Sequence, residues 1–437
     1  MKILIVVHQT LPYFIGGVEC LTHDYVLALK EVGHQPLVFS QIRNEFEPVA
    51  QKTEEYSEYI HEKISSRYSL KNEFANTDIL DSFITVLDQF VPDIVHIMHL
   101  QYLHYEIAKV VKQRKIPLIT SVFDYWFFCR QVQRLYPGGI LCNNNLPVRC
   151  SGCSTAMRLR HNKGSYLYVF RLMTPIYSIL GYVAGEGAHI YKRRIKALES
   201  VLNYSDAVCF GTKAMQDFYK KHFSIKNRFL VPYGIHEPDK QISFRGPVDR
   251  LLKLGFIGTC APHKGVQQLI DSFLELHMPD CQLILYLNES RDVDYVRRVK
   301  QTAEGMNSIQ IRDPFPFEKI YDHLAEFDAL VIPSIWDENM PLVLLAALNM
   351  HIPVLGSNMA GIVEFIKVGK TGFVFNPDNK NSITQVLELF VDKIRAGWIP
   401  DFNNEKIYSI KEYLKLNLEL YYKLGDFICA EYVDMQE

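Results

Sequence analysis

A chain of 437 residues, 48% of them apolar by type, is too long for one hydrophobic core and suits two domains. Lysine and arginine number 47 against 49 acidic residues, so bulk charge gives no argument for a nucleic-acid partner. The opening MKILIVVHQT passes from one lysine straight into a strand with no small-residue cleavage site, so no secretory leader is expected, and the nine cysteines read as thiols or metal ligands before disulfides.

Ile3 to Val7 reads as a buried strand and His8 to Phe14 as the loop beyond it. Gly16-Gly17-Val18-Glu19 then leads into an amphipathic helix, Leu21 to Val32, with Gly33 past its end. Such a Gly-Gly is either a plain tight turn or a place where backbone amides approach a ligand. The fingerprint G-x-G-x-x-G is absent, which disfavours a nicotinamide enzyme. Glu45 to Tyr68 is charged and weakly periodic, and is expected to be an exposed excursion. Pro92 to His99 is a strand that presents histidine at its end. Pro117 to Val122 is another, running into Phe123-Asp124-Tyr125-Trp126-Phe127-Phe128-Cys129.

Cys129, Cys142, Cys150 and Cys153 form the sharpest local constellation, the last two a C-x-x-C knuckle. Four thiolates at this spacing suit a closed tetrahedral structural zinc site; redox-labile or merely buried thiols are the alternatives. Ser165 to Val183 is apolar but holds Arg171 and Pro175, and a central arginine costs about 3 kcal/mol on insertion scales, so a spanning helix is not expected. Thr155 to Ser200 is basic and aromatic, including Arg158, Arg160, Lys163, Arg171, Lys192, Arg193, Arg194 and Lys196. It reads as an interfacial surface or as a solvated helical face; the charges keep no clear helical spacing over the whole span, which favours the latter slightly. Strands at Ser205 to Gly211 and Arg228 to Gly234 close this half.

His236 to Val248, with Pro238 and Pro247, is a plausible linker. Strand Leu251 to Gly258 follows, then the loop Gly258-Thr259-Cys260-Ala261-Pro262-His263-Lys264-Gly265 and a helix, Val266 to Leu276. Cys281 to Leu287 and Ser308 to Asp313 continue the alternation. Asp292-Val293-Asp294 spells a metal-binding carboxylate pair, but its context is a helix start, and it is rejected as a metal site. Ala329 to Ser334 is a buried strand ending in the polar loop Ser-Ile-Trp-Asp-Glu-Asn-Met-Pro; Pro341 then opens the apolar helix LVLLAALNM. A further strand, Pro353 to Asn358, and the loop through Gly361 lead to a helix around Glu364. Two strand-loop-helix units thus aim loops at the carboxyl edge of a parallel sheet, where α/β sheets bind ligands and helix starts offer N–H groups to anions.

These residues resemble the retaining glycosyltransferases of family 4, in a subgroup with an Asp-Tyr-Trp stretch and a four-cysteine insertion. The resemblance covers nearly the whole chain. It implies an α/β GT-B fold: two Rossmann-like domains with parallel sheets facing across a cleft. The acceptor-side domain would span 1–235 with the cysteine-bearing insertion at about 129–200, the nucleotide-sugar domain 249–404, and a closing helix in 405–437 would pack back on the first domain. Glu338 matches the first motif glutamate and is expected to grip the donor sugar. Lys264 matches the diphosphate-loop lysine, with Gly16, Gly17, Gly258 and the backbone of Asn339, Met340, Pro341, Leu342 and Val343 beside the phosphates. His99, Phe123 and Asp124 fall on the sugar and acceptor side, Asp124 being structural or touching substrate. Arg312 to Phe317 would border the base, and Glu364 would buttress the phosphate loop or only cap a helix.

The implied reaction is metal-independent, retaining hexosyl transfer from a UDP- or GDP-linked sugar to a saccharide or lipid-linked acceptor, in cell-surface polysaccharide or glycan synthesis. The protein would be cytoplasmic, with peripheral contact at the inner face of the plasma membrane. Two positions depart from the pattern. The second motif glutamate, which holds ribose hydroxyls, is replaced by Ala346; a charged hydrogen bond of that kind is worth about 1.5–3 kcal/mol. The motif histidine is replaced by Phe123, which neither donates nor accepts. These losses keep open a catalytically impaired nucleotide-sugar-binding or scaffold protein, and a GT-B epimerase or phosphorylase.

Overall fold

The structure, a computed structural model, describes residues 1–43, 50–56, 59–66, 77–136, 139, 141–158, 167–183, 187–238, 250–289, 292–403 and 405–425. The chain divides into two compact units. The first takes Met1–Val132, Cys142–Gly234 and the stretch from Tyr408 onward; the second takes Gln133–Leu141 and Ile235–Ile407. The sequence places 133–141 with the first domain, whereas the chain crosses into the second unit for those nine positions and returns.

Parallel strands covered on both faces need continuous apolar runs, and the first unit supplies them. In chain order its strands are β1 (Lys2–Val7), β2 (Gln35–Arg43), β3 (Ala50–Tyr56), β4 (Tyr59–Ser66), β5 (Ile94–Ile97), β6 (Leu118–Val122), β7 (Ala207–Phe210) and β8 (Arg228–Leu230). They lie in the order β3-β4-β2-β1-β5-β6-β7-β8. The pairing is parallel throughout except for β3 with β4. Within the expected excursion at 45–68, the strands 50–56 and 59–66 pair antiparallel and extend the sheet at its edge, where no strand was expected; 45–49, 57–58 and 67–68 lie outside the described residues. A charged edge strand is how sheets avoid pairing with other chains, which is why its pattern looks like a surface loop.

The helices of this unit are α1 (Gly17–Glu31), α2 (Thr77–Phe90), α3 (Ile107–Gln113), α4 (Pro147–Arg158), α5 (Leu167–Val183), α6 (Ala188–Tyr204) and α7 (Lys213–His222). The second unit holds β9 (Leu252–Cys260), α8 (Val266–Glu275), β10 (Cys281–Glu289), α9 (Val293–Ala303), β11 (Ile309–Arg312), α10 (Ile320–Leu324), β12 (Ala329–Ile332), α11 (Leu342–Asn349), β13 (Val354–Ser357), α12 (Ala360–Val363), β14 (Gly372–Phe375) and α13 (Lys380–Arg395). Its six strands run parallel in the order β11-β10-β9-β12-β13-β14. Each unit is thus Rossmann-like, with its own core under the sheet. Asp292 caps α9, accepting the Tyr295 N–H at 3.1 Å, which gives that carboxylate a structural task.

The last helix, α14 (Ile410–Gly425), belongs to the first unit. Its Tyr421 hydroxyl accepts from the Tyr25 hydroxyl at 2.7 Å and so gives its own proton to His96 Nδ1 at 2.6 Å. His96 Nε2–H then donates to Ser121 Oγ at 2.8 Å. Burial lowers His96 to about 3, so the ring stays neutral and this chain of bonds holds α14 against β5 and β6. Residues 239–249, most of the expected linker, and 426–437 lie outside the described residues.

Candidate active site

In the second unit, the loops after β9 and β12 meet at the carboxyl edge of adjacent strands. A short turn at Pro262–Lys264 follows β9, and Gly265 ends it at φ +70°. A Cβ there would lie 1.9 Å from the Pro333 carbonyl oxygen, so only glycine lets the two loops approach. The Ile335 N–H donates to the His263 carbonyl at 2.9 Å and ties them together. The result brings Lys264 and Glu338, 74 positions apart, to 2.6 Å.

Glu338 is buried, and three donors converge on its Oε1: Lys264 Nζ, Ser334 Oγ at 2.7 Å and Trp336 Nε1 at 2.9 Å. Its Oε2 receives none of these. Burial alone would raise this carboxyl, but Lys264, Ser334 and His263 outweigh it and hold the group below the usual carboxylate range. Lys264 also stands 5.5 Å from the centre of the Trp336 ring, and Trp336 packs edge-on to His263. Burial, then the Lys264 charge, lowers His263 to about 4, so it is neutral at physiological pH. Sequence reasoning gave no role to Ser334, Trp336 or His263, although all three lie in the loops it quoted.

Asn339 and Met340 continue the buried loop, and Pro341 caps α11. The backbone expectation for 339–343 is corrected at one position: Pro341 has no N–H to give. Leu342 and Val343, in the first turn of α11, have N–H groups that no carbonyl of their own helix can accept. Ala346 is 1% exposed on the second turn of this helix, so its methyl group is packed rather than facing solvent. Gly258 lies within β9, one strand residue before Thr259. Arg134, from the excursion 133–141, pairs with Asp337 at 2.7 Å; no spacing motif links residues 203 apart.

The first unit gathers a second polar cluster at the carboxyl ends of β1, β5 and β6. His99 Nδ1 accepts the Gln101 N–H at 3.0 Å, so Nε2 carries the proton and donates to Asp124 at 3.2 Å. Asp124 also accepts the Trp126 N–H at 2.8 Å, and its carbonyl accepts the Tyr219 hydroxyl. The His8 ring lies 4.3 Å from that of His99, with Nε2 3.4 Å from Glu19 Oε1. His8 Nδ1 is buried without a hydrogen-bond partner. Glu19 curls back over Gly16, where a Cβ would meet its Oε2 at 2.5 Å. Burial raises Glu19 to about 7, while burial and His99 lower His8. His8 and Glu19 were not singled out from the sequence, which marked Gly16, Gly17, His99, Phe123 and Asp124 here. Phe123 is buried against Tyr233, with ring centres 4.8 Å apart.

Cys150 and Cys153 sit one turn apart on α4, while Cys129 and Cys142 lie in the loops before it. No disulfide joins them, and the Cys142 thiol donates to the Asn144 carbonyl. Burial pushes Cys150 up to about 12, and Cys129 and Cys142 add to this; Cys153 is raised by burial and by the other three. Among the described residues, no three His, Cys, Asp or Glu side chains are already gathered to hold a metal ion. Nor is any described helix long and apolar enough to cross a membrane.

Residues 252–392 match the family described as Glycosyl transferases group 1. An alpha-maltose-1-phosphate synthase of Mycolicibacterium smegmatis is 23% identical over 162 residues, which cover 36% of this chain and 41% of that relative. Among solved structures, sucrose-phosphate synthase from Thermosynechococcus elongatus superposes with a TM-score of 0.66 at 12% identity, covering 97% of this chain and 99% of the other. Anabaena Alr3699/HepE in complex with UDP and glucose gives 0.64 at 12% identity, covering 96% and 99%. The E. coli structure named trehalose-6-phosphate, bound with UDP-2-fluoro glucose, gives 0.59 at 12% identity, covering 98% and 100%. The chain therefore has the GT-B fold of two Rossmann-like domains, and its residues 252–392 resemble the glycosyl transferases group 1 family.

Proposed function

We propose that this protein is a retaining, metal-independent glycosyltransferase that takes a hexosyl group from a UDP- or GDP-linked sugar. The observation that carries this reading is the Lys264–Glu338 pair with its Ser334 and Trp336 donors. Lys264 and the first N–H groups of α11 supply positive charge for a diphosphate, where leaving-group charge develops. Glu338 Oε2 is the acceptor for a sugar hydroxyl. The C1–O bond to the diphosphate breaks through an oxocarbenium-like state, and the acceptor oxygen bonds to C1 on the same face. The acceptor's proton passes to the departing phosphate oxygen. The first unit's His8, Glu19, His99 and Asp124 would meet the acceptor, a saccharide or lipid-linked glycan of cell-surface polysaccharide synthesis in the cytoplasm.

Support comes also from the group 1 match and from the UDP and UDP-sugar named with two of the structural neighbours. A second reading, a nucleotide-sugar-binding protein with impaired turnover, is favoured by Ala346 and Phe123, both packed and apolar. A thermal-shift panel of nucleoside diphosphates and their sugars, followed by a transfer and hydrolysis assay on whichever binds, separates the two. Binding with turnover supports the transferase; binding without turnover for any saccharide acceptor supports the impaired form. Carbon-2 epimerisation of the nucleotide sugar would replace both.

The four thiols are also proposed to hold a structural zinc ion. Their chemistry fits such a site, and their mutual electrostatic coupling is what a cation among them would relieve. Binding would have to draw them closer together.

A further inference from the structure

Beyond Val132 the chain leaves the first unit, and it does so through two left-handed residues, Val132 at φ +67° and Arg134 at φ +57°. A β-branched residue is a genuine outlier there. Such conformations persist only where the surrounding structure imposes them, and they gather at ligand sites. Arg134, now in the second unit, is buried, and its Nη1 donates to Asp337 Oδ2 at 2.7 Å. The two side chains are 5% and 15% exposed. Further along the same excursion Gly139 stands against Ile335, where a Cβ would lie 3.4 Å from Cδ1. Both contacts fall on the loop between β12 and α11, which has no regular structure of its own.

A buried ion pair is a poor source of stability, because taking two charges out of water offsets most of their attraction. What it supplies here is location. Asp337 lies between Trp336 and Glu338, whose side chains meet at Glu338 Oε1. Holding Asp337 fixes the peptide units on both sides of it. With them it fixes the direction of Oε2, the oxygen that receives none of the Lys264, Ser334 and Trp336 donors. The Ile335 bond to the His263 carbonyl and the approach of Gly361 to the Glu338 carbonyl secure the ends of this stretch, and Arg134 secures its middle. Without Arg134 the Asp337 carboxylate would stand in a largely dry place, one residue from a second carboxylate, and the loop would shift to hydrate it.

We propose that Arg134 is a positioning residue of the donor site, acting through Asp337 to aim the Glu338 carboxylate at the sugar of the nucleotide donor. This role rests on the proposal above that Glu338 grips that sugar while Lys264 and α11 hold the diphosphate. It divides one ligand into two halves: grip on the sugar depends on Arg134, and grip on the diphosphate does not.

Isothermal titration of the full chain with UDP, GDP and their hexose conjugates tests it. Arg134→Ala is expected to lower affinity for the nucleotide sugar about tenfold, and to change that for the bare diphosphate by less than about twofold. Asp337→Asn is nearly isosteric and keeps an oxygen for Arg134 but not the charge. It is expected to move the same way by about threefold, and it carries the test if the alanine variant does not fold by circular dichroism. A folded variant that loses both affinities equally, or neither, overturns the proposal while leaving the reading of the donor site in place. No binding of any of these ligands by the wild type overturns both.

Discussion

Gly361 lies backbone to backbone with the loop that carries Glu338: a Cβ on it would stand 2.0 Å from the Glu338 carbonyl oxygen and 1.9 Å from that of Asn339. The start of α12 therefore acts as a wall behind the backbone of that loop. Gly361→Ala must push the loop away, because the obstructing atoms are backbone. The expected cost is about 1–3 kcal/mol of stability, read as a lower urea midpoint at unchanged m-value. Unchanged stability would show the wall to be soft.

Lys264 and Glu338 form a pair that is worse broken than removed. Lys264→Ala strands a buried carboxylate beside Trp336, at an expected cost of about 1–3 kcal/mol, reduced from a fully buried pair because a quarter of the Lys264 side chain meets solvent. Lys264→Ala/Glu338→Gln should recover much of this loss. A double-mutant cycle by urea unfolding checks the coupling, and strict additivity of the two changes would contradict it.

The buried titratable groups pull stability in opposite directions with pH. Glu19 is raised to about 7, so its contribution is present below its ordinary value near 4.5 and is lost as pH rises through 7. His96 is lowered to about 3 and His263 to about 4, so theirs is present above 6.5 and is lost as pH falls towards those values. Glu19→Gln, still facing His8, His99 and Asp124, should gain on the wild type between pH 4.5 and 7, by up to about 3 kcal/mol. Urea unfolding at pH 5 and pH 8 measures this; an equal difference between the two proteins at both values would contradict it.

For the cysteines, elemental analysis of the purified chain should find about one zinc per molecule. Cys150→Ser/Cys153→Ser should lose it together with several degrees of melting temperature. Metal-free protein as stable as the metal-loaded form would end the zinc proposal.

Much of the fold could be read in advance because its strands are covered on both faces. Ile3 to Val7 and Ala329 to Ile332 are continuous apolar runs, and such runs need no context. The edge strands at 50–56 and 59–66 are not legible for the converse reason: they are rich in charged residues. Lys264 and Glu338 could each be named from their loops, but their 2.6 Å contact depends on Gly265 lying under the Pro333 carbonyl. Arg134 meets Asp337 only through a chain crossing that no local pattern encodes, whereas His8 and Glu19 meet across the single loop between β1 and α1, where the chain turn rather than a spacing motif sets the contact. From Thr155 to Ser200 the charges keep no single helical spacing, because the span holds several helices; within α6, which starts at Ala188, His189, Lys192, Arg193 and Lys196 fall at helical spacing.

The central claim is that the ammonium of Lys264 and the first turn of α11 hold a nucleoside diphosphate. Isothermal titration of UDP and GDP, and of their sugars, into the wild type and Lys264→Ala tests it most directly. At least one should bind the wild type at millimolar concentration or below, with affinity falling about ten- to a hundredfold in Lys264→Ala. No binding of any of them at millimolar concentration, or equal binding by both proteins, would contradict it.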